Sequence, residues 1–265
     1  MKIILFGSTG MLGNYVRTWL ANDFEIICIL RNEFDIESND WDKLYEILKI
    51  VDDEDIIINC AGAIPQKDCP IRKYISLNTL FPVKLTEIIK DKCEIIHITT
   101  DCVFSGRKGS YYENDIHDAE DIYGISKSLG EPKDACVIRT SIIGEELYGK
   151  KSLIEWLKSS KNGDIDGYNN FLWNGITCLE VAKIISNIIK TNTYWKGIRH
   201  FYSNTPVSKY QLCSIINDVY ELNMNINKNE TIVKNMTLLS KITEPREHIN
   251  ELIKTQYDYI FETIH

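Results

Sequence analysis

The amino-acid sequence predicts an α/β fold, a doubly wound parallel sheet joined by a small C-terminal lobe. Strand-like and helix-like segments alternate through the first half of the chain, which is typical of parallel βαβ units. The first buried strand runs straight into a glycine turn and a helix start, the opening of a Rossmann-like sheet. The pattern changes after Gly144. We therefore expect a dinucleotide-binding domain over residues 1–145 and a substrate-binding lobe, partly interleaved with the sheet, over 146–265.

The composition is that of a globular protein and disfavours several classes of partner. With 265 residues the chain can bury a full core, and 44% hydrophobic and 26% charged residues are ordinary for a globular protein. The formal net charge of -8 disfavours a nucleic-acid or anionic-membrane partner. No apolar run approaches the length that spans a membrane, and Met1 leads directly into the first strand, which leaves no room for a signal peptide.

The eight cysteines are scattered and include no Cys-x-x-Cys pair. Several lie inside apolar runs, so we interpret them as reduced core thiols of a cytoplasmic protein. The five histidines are equally dispersed, and we expect no metal site.

The glycine turn after the first strand is the candidate phosphate site. Gly7 allows a turn with positive φ, Gly10 allows a pyrophosphate to approach the backbone, and Gly13 lets the helix pack on the strand. A helix N-terminus there would point free N–H groups at a phosphate. The alternative is a plain glycine turn after a buried strand. The expected cofactor contacts in this turn are Gly7, Ser8, Thr9, Gly10, Met11, Leu12 and Gly13.

The ends of the next two strands should meet the rest of a dinucleotide. The second strand, residues 25–30, ends at Arg31, and an arginine there favours the 2'-phosphate of NADPH over NADH. The alternative is a surface arginine, and NADH stays an open cofactor. The third strand, residues 55–59, ends in small residues that leave room for a ligand. Further expected cofactor contacts are Asp35, Ile36, Cys60, Ala61, Gly62 and Asn78.

The remaining elements follow from apolar spacing and from breakers. Pro82 should bend its helix or break a turn of it, Pro132 should end another helix, and the last helix should start after Pro245. The predicted helices cover about 41–50, 74–90, 121–131, 153–157, 178–190, 207–220 and 246–263. Strands are expected at 94–99, 135–139 and 198–202, and residues 163–175 are expected to be rich in loops.

Three residues in the first half suggest a carbonyl-reducing chemistry. Tyr123 and Lys127 lie one turn apart on a predicted helix. The phenol has an ordinary pKa of about 10, which a neighbouring ammonium group would lower. Thr100 follows the fourth strand and could hydrogen-bond the same carbonyl oxygen that Tyr123 protonates. The alternative for any Tyr-x-x-x-Lys pair is an exposed helix face.

Three segments resemble the extended short-chain dehydrogenase/reductases, and most closely the dTDP-4-dehydrorhamnose reductase group. They are residues 7–13 (GSTGMLG), 99–106 (TTDCVFSG) and 123–131 (YGISKSLGE). The resemblance implies NADPH-dependent reduction of the 4-keto group of a nucleotide-linked 4-keto-6-deoxy sugar, linked to dTDP or UDP. It makes Thr100, Tyr123 and Lys127 the catalytic set, with Tyr123 and Lys127 also touching the cofactor.

Substrate contacts are expected on both sides of the cleft. Residues 139–143 resemble the loop that closes over nicotinamide and sugar, and Trp173 and Asn174 are candidates for lining the sugar pocket, with plain lobe packing as the alternative. The full expected set is Asp101, Val103, Phe104, Arg139, Ser141, Trp173 and Asn174.

The chain departs from the family's relatives in two places. Nucleotide-sugar 4,6-dehydratases carry an Asp-Glu pair after the threonine, whereas this chain has Asp101-Cys102, which disfavours dehydration. An arginine expected near residues 235–238 is absent. Two other functions stay open: a non-catalytic dinucleotide-binding regulatory subunit, and an epimerase that retains NAD. A homodimer is compatible with the sequence.

Overall fold

A parallel sheet forms the centre of the molecule. The computed structural model describes residues 1–67, 69–147, 149 and 151–264. In chain order the strands are β1 (Lys2–Phe6), β2 (Glu25–Ile29), β3 (Ile56–Asn59), β4 (Glu94–Thr100), β5 (Cys136–Thr140), β6 (Ile142–Ile143), β7 (Asp164–Tyr168), β8 (Phe171–Trp173), β9 (Ile176–Thr177), β10 (Gly197–His200), β11 (Val207–Ser208), β12 (Asn225–Asn229) and β13 (Lys234–Asn235). The helices are α1 (Met11–Leu20), α2 (Trp41–Leu48), α3 (Ile71–Tyr74), α4 (Phe81–Ile89), α5 (Ile122–Leu129), α6 (Leu153–Ser159), α7 (Cys178–Thr191), α8 (Lys209–Val219) and α9 (Ile249–Ile264).

The order of strands places a ligand crevice beside the first turn. The sheet runs β2-β1-β3-β4-β5-β10, and every neighbouring pair is parallel. The chain leaves β1 toward β2 on one side and returns to β3 on the other, so the order reverses between β1 and β3. Ligands of open α/β sheets bind outside the carboxyl ends of the strands at such a reversal. The predicted α/β fold class is confirmed.

Both faces of the sheet are covered, which explains the continuous apolar strands. In β1, Ile3 and Leu5 join the core cluster beneath α1 and α7, whereas Ile4 and Phe6 join the cluster beneath α2 and α4. Successive side chains of a strand point to opposite faces, so a strand buried on both sides loses its polar alternation.

The second half of the chain contributes to the sheet as well as to the lobe. The edge strand β10 pairs with β5, and α7 packs against α1. The lobe adds small sheets of β11-β8-β13 and of β12-β7. The expectation of a loop-rich segment over 163–175 is wrong, because β7 and β8 occupy most of it. The division into residues 1–145 and 146–265 stays a prediction.

The structure refines what was expected of the prolines. A bend or a broken turn was predicted at Pro82, and a π-helical segment, Ile75–Leu80, lies directly before the turn that contains this proline. Helix α5 ends at Gly130, not Pro132. A Cβ at Gly130 would lie 1.7 Å from the backbone oxygen of Asn78. Helix α9 begins at Ile249. Across the described ranges, none of the helices combines the length and the apolar character needed to cross a bilayer.

Candidate active site

A cleft of about 690 Å³ opens at the carboxyl edge of the sheet, between the glycine turn and the lobe. Gly10, Met11 and Leu12 line one end, and Trp173 and Lys209 line the other. The wall between the two ends comes from the ends of β3, β4 and β5 and from α5. The cleft therefore lies where the strand order predicts a ligand.

The turn before α1 has the features of a phosphate cradle. Gly10 is the N-cap residue of α1 and has no side chain that could accept a hydrogen bond from the first N–H groups of the helix. The first turn of α1 also contains no acidic residue. The first N–H groups of the helix thus face the cleft without a side-chain acceptor. A Cβ at Gly10 would meet only the oxygen of Gly7, at 3.3 Å, whereas one at Gly13 would lie 2.0 Å from the same oxygen. Gly13 thus allows tight packing, and Gly10 leaves space for a ligand.

Gly7 closes the turn against the end of β3. Its φ is 79°, and a Cβ there would lie 2.6 Å from the backbone nitrogen of Ala61. The Ala61 N–H in turn donates to the side chain of Asn59 at 3.0 Å. Gly7 and Ala61 are therefore structural neighbours behind the cleft. Of the other expected contacts in this region, Cys60 and Gly62 line the cleft, whereas Ser8, Thr9 and Gly13 form the turn without lining it.

The segment after β2 lies outside the cleft lining. The side chain of Arg31 is 67% exposed and pairs with Asp35 at 3.2 Å and with Glu37 at 2.8 Å. Asp35 also accepts the Glu37 N–H at 3.1 Å, which caps the short helix Ile36–Ser38. Ile36 packs against the core beneath α2 and α4. Arg31 is accessible to a ligand, but Asp35 and Ile36 have structural positions.

The side chain of Asn78 forms hydrogen bonds only with other residues of the described chain. Its amide nitrogen donates to the oxygen of Ala63 at 3.1 Å and to the hydroxyl of Ser126 at 3.0 Å, and its amide oxygen accepts the Ala63 N–H at 2.8 Å. The residue is fully buried behind the cleft wall. Asn78 therefore joins the β3 loop to α5 and holds Lys127's helix in place, which is different from the expected cofactor contact.

Thr100, Tyr123 and Lys127 converge on the cleft. Helix α5 presents the tyrosine and lysine one turn apart, and Asp121 fixes its start by accepting the Gly124 N–H at 2.9 Å. The Thr100 hydroxyl accepts the Cys102 N–H at 3.2 Å and donates to Asp101 at 3.1 Å. Lys127 lies beside Gly62, where a Cβ would come within 2.9 Å of Nζ. The small residue after β3 thus makes room for the ammonium group.

Burial is the largest cause of the pKa shifts of Tyr123 and Lys127. It raises the pKa of Tyr123 well above its ordinary value, and a hydrogen bond with Thr100 opposes that rise. The expected lowering by Lys127 is not seen. Burial lowers the pKa of Lys127 to about 8, against a raising influence of Glu131. Burial therefore favours the protonated, neutral phenol of Tyr123 and opposes the charged form of Lys127.

The predicted substrate residues divide into two groups. Ser141 and Trp173 line the cleft, and Asp101 lies buried just behind Thr100. The other four lie away from it. Val103 and Phe104 belong to a separate buried cluster, where Phe104 stacks on Tyr111 with ring centroids 4.1 Å apart.

Arg139 is a structural cation and lies outside the cleft lining, contrary to the expectation of a substrate contact. It is fully buried on β5 and binds both carboxylate oxygens of Glu131, at 3.0 and 2.6 Å. It also contacts ring nitrogens of His117 and His200 at 2.8 and 2.9 Å. Asn174 is likewise structural, since its amide exchanges two hydrogen bonds with the backbone of Leu238 at 2.8 and 2.9 Å.

Sequence reasoning missed several polar residues that line the cleft, namely Gln66, Thr99, Asp121, Thr140, Glu146, Lys151, Ser152 and Lys209. Lys209, the first residue of α8, places its ammonium group 4.7 Å from the ring centroid of Trp173. Its signal was the capping box formed by Ser208 and Gln211, which predicts a helix start directly beside it. Thr99 also lines the cleft, and its buried hydroxyl has no hydrogen-bond partner among the described residues.

Comparisons with known proteins agree with this geometry. Residues 1–248 match the family model of the RmlD substrate binding domain. A dTDP-4-dehydrorhamnose reductase from Aggregatibacter actinomycetemcomitans is 29% identical over 238 residues, covering 82% of this chain and 78% of the relative. A dTDP-4-dehydrorhamnose reductase from Bacillus anthracis, solved in complex with NADP, superposes with a TM-score of 0.84 over 98% of this chain and all of that one.

A second solved reductase of that name, from Clostridium acetobutylicum, gives a TM-score of 0.82 over 98% of this chain and all of its own. Both solved structures are 18% identical to this chain, so they establish the shared fold. The expected class of enzyme, an oxidoreductase, is confirmed by the family match and the curated reductase. The chain belongs to the RmlD substrate binding domain family.

Proposed function

We propose that this protein uses NADPH to reduce the 4-keto group of a nucleotide-linked 4-keto-6-deoxy sugar to a hydroxyl group. The observation that carries the proposal is the convergence of Thr100, Tyr123 and Lys127 on one cleft beneath the glycine turn. The family and the name of the curated reductase support the substrate class.

The residues of the cleft are suited to protonating a carbonyl oxygen. Tyr123 is the proton donor, because its raised pKa keeps the phenol protonated until the carbonyl oxygen gains negative charge. Lys127 lies one turn away and does not lower the pKa of Tyr123 in the protein alone, so its ammonium group would stabilise the phenolate only with cofactor and substrate in the cleft. Reduced nicotinamide, when bound, supplies the hydride. Thr100 holds the substrate oxygen within reach of the phenol.

Thr100 must redirect its hydroxyl proton for this role. That proton points to Asp101 in the structure, and the oxygen accepts the Cys102 N–H. A substrate oxygen would compete with the buried carboxylate of Asp101, whose pKa burial raises. Donation to the substrate therefore requires the Thr100 hydroxyl to turn away from Asp101.

The turn and the Arg31 segment support the cofactor assignment. The uncapped start of α1 and the space in front of Gly10 suit a diphosphate. Arg31 is exposed beyond β2, where a 2'-phosphate would lie, which favours NADPH. The NADP complex of the Bacillus anthracis relative points the same way. NADH is the alternative cofactor, because Asp35 and Glu37 already share the charge of Arg31.

Dehydration is disfavoured at this site. Cys102 occupies the position where 4,6-dehydratases carry a glutamate, and burial raises the pKa of its thiol well above the ordinary value. A neutral thiol is a poor acid or base at neutral pH.

Turnover of a defined substrate tests the proposal. Purified protein is mixed with NADPH and an enzymatically prepared dTDP-linked or UDP-linked 4-keto-6-deoxy sugar, and loss of the reduced-nicotinamide absorbance is followed. We expect net NADPH consumption that Tyr123→Phe lowers by about 10²–10⁴-fold, with NADPH binding retained. Turnover by Tyr123→Phe at the wild-type rate would refute the mechanism. Interconversion of sugars without net NADPH consumption would point to an epimerase, and cofactor binding without any turnover to a regulatory subunit.

A further inference from the structure

The lobe end of the cleft contains a cation that the proposed chemistry does not use. Lys209 lines the cleft with Trp173 and Leu212. The hydrogen bonds of the capping box hold the start of α8: the hydroxyl of Ser208 accepts the Gln211 N–H at 3.1 Å, and the Gln211 side chain accepts the Ser208 N–H at 2.8 Å. The backbone that carries Lys209 is therefore fixed.

Two aromatic rings hold the ammonium group. It lies 4.7 Å from the ring centroid of Trp173 and 5.6 Å from that of Phe171, within the range of a cation–π interaction. Strand β11 pairs with β8, with Val207 opposite Trp173, so the lysine and the indole are brought together by the lobe's own sheet. A Cβ at Gly175 would come within 2.2 Å of the indole, which means that the ring position depends on that glycine.

The charge of Lys209 has no direct ionic partner in the described part of the chain. Within residues 1–67, 69–147, 149 and 151–264, its ammonium group forms no salt bridge within 4.0 Å. The opposite charge that acts on it most strongly is Asp101, whose carboxylate is engaged by Thr100 and Cys102 and makes no direct ion pair with the lysine. Burial of a cation without a direct ionic partner is costly, so an anion from a ligand would complete this end of the cleft.

The geometry of the cleft indicates which anion. A reacting carbonyl must lie at Thr100 and Tyr123, and the cleft continues from there to Trp173 and Lys209. A nucleotide sugar carries its obligatory negative charge on the diphosphate that joins the sugar to the nucleoside.

We propose that Lys209, held by Trp173, binds a phosphate group of the nucleotide-sugar substrate and thereby determines its affinity. This inference rests on the proposed function, since it assigns Lys209 to the substrate half of that cleft. The class of ligand is a nucleoside diphosphate.

Binding of thymidine diphosphate and uridine diphosphate, each compared with its nucleoside, tests the assignment. Titration calorimetry is performed with saturating NADP⁺ present, so that the glycine turn is already occupied. Lys209→Met keeps most of the side chain and removes the charge, whereas Lys209→Arg keeps the charge. Lys183 is the matched control because it lies 5.5 Å from the ring of Trp19 in a similar cation–π contact, outside the cleft lining.

We expect Lys209→Met to weaken binding of the diphosphate by roughly tenfold to hundredfold, the strength of a charge-assisted hydrogen bond, and to leave the nucleoside and NADPH unaffected. Lys209→Arg should retain most of the affinity, and Lys183→Met should change nothing. In turnover, Lys209→Met should raise KM with little change in kcat.

Equal diphosphate affinity in wild-type protein and Lys209→Met would overturn the inference, and so would a wild-type protein that binds neither diphosphate. The same experiments distinguish failure of this inference from failure of the proposed function. A Lys209-dependent diphosphate affinity without any sugar reduction would keep the phosphate site and reject the reductase, whereas reduction with an unchanged KM in Lys209→Met would do the reverse.

Discussion

The three glycines of the first turn should respond differently to alanine, because the structure gives each a different environment. At Gly13 a Cβ would lie 2.0 Å from the backbone oxygen of Gly7 and 2.7 Å from its carbonyl carbon, so α1 must move away from the turn. Overpacking costs about 1–3 kcal/mol, and the better helix propensity of alanine returns about 1 kcal/mol. Since the clash is with backbone, we expect Gly13→Ala to lose about 2 kcal/mol of stability.

Gly10→Ala should cost little stability and should mainly weaken NADPH binding. The residue has φ of -76° and ψ of 169°, which alanine adopts without strain, and the new Cβ meets only the Gly7 oxygen at 3.3 Å. Alanine is a poorer helix cap than glycine, so the stability loss should be about 0.5–1 kcal/mol. The methyl group would nevertheless occupy the space where a diphosphate approaches the backbone. NADPH affinity should fall by at least about tenfold, or 1.4 kcal/mol.

Urea unfolding measured by circular dichroism and NADPH titration by fluorescence separate the two effects. Gly13→Ala should lower the unfolding midpoint clearly, and Gly10→Ala should mainly weaken NADPH binding. If Gly10→Ala bound NADPH as tightly as the wild-type protein, the cofactor's phosphates would not lie at this turn, and the account of the cleft would be wrong.

Three further outcomes follow from buried and exposed charges. Burial moves the pKa of Lys127 from 10.5 to about 8, so without cofactor Lys127→Met should stabilise the fold at neutral pH by on the order of 3 kcal/mol while abolishing turnover. The stability of the wild-type protein should rise between these two pH values, where only the unfolded chain keeps the proton. A Lys127→Met variant as stable as the wild-type protein at neutral pH would contradict this. Arg139→Met should cost about 3–5 kcal/mol in urea unfolding because it leaves the buried Glu131 carboxylate unpaired, and Glu131→Met in the same chain should recover much of that loss. Glu37→Gln should raise the preference for NADPH over NADH, measured as a ratio of kcat/KM, because it frees Arg31 from one carboxylate, and an unchanged ratio would remove Arg31 from the cofactor site.

The parts of the site that the sequence predicts are those set by local spacing. The glycine turn lies between a strand and a helix that are adjacent in the chain, and Tyr123 and Lys127 are separated by one helical turn. Their positions in the cleft follow from short-range geometry together with the rule that parallel strands end at one edge. Thr100 could be predicted for the same reason, since it ends β4.

The residues that were misassigned depend on distant partners. Arg139 is expected in the cleft because residues 139–143 resemble the loop that closes over nicotinamide and sugar, but its partners include His200, 61 residues further on. The strand β8 forms by pairing with β11 and β13, which the composition of residues 163–175 does not reveal. Lys209 reaches the cleft only because the same pairing sets it beside Trp173. Side-chain direction in these cases is decided by long-range pairing and not by local pattern.

Transfer of deuterium tests the central claim most directly. The protein is incubated with NADPH carrying deuterium at the hydride position of the nicotinamide ring and with a nucleotide-linked 4-keto-6-deoxy sugar, and the product is analysed by mass spectrometry and NMR. The account predicts one deuterium bound to C4 of the sugar for each NADPH consumed, and no transfer in Tyr123→Phe above background. A sugar product that contains no deuterium while NADPH is consumed would contradict it.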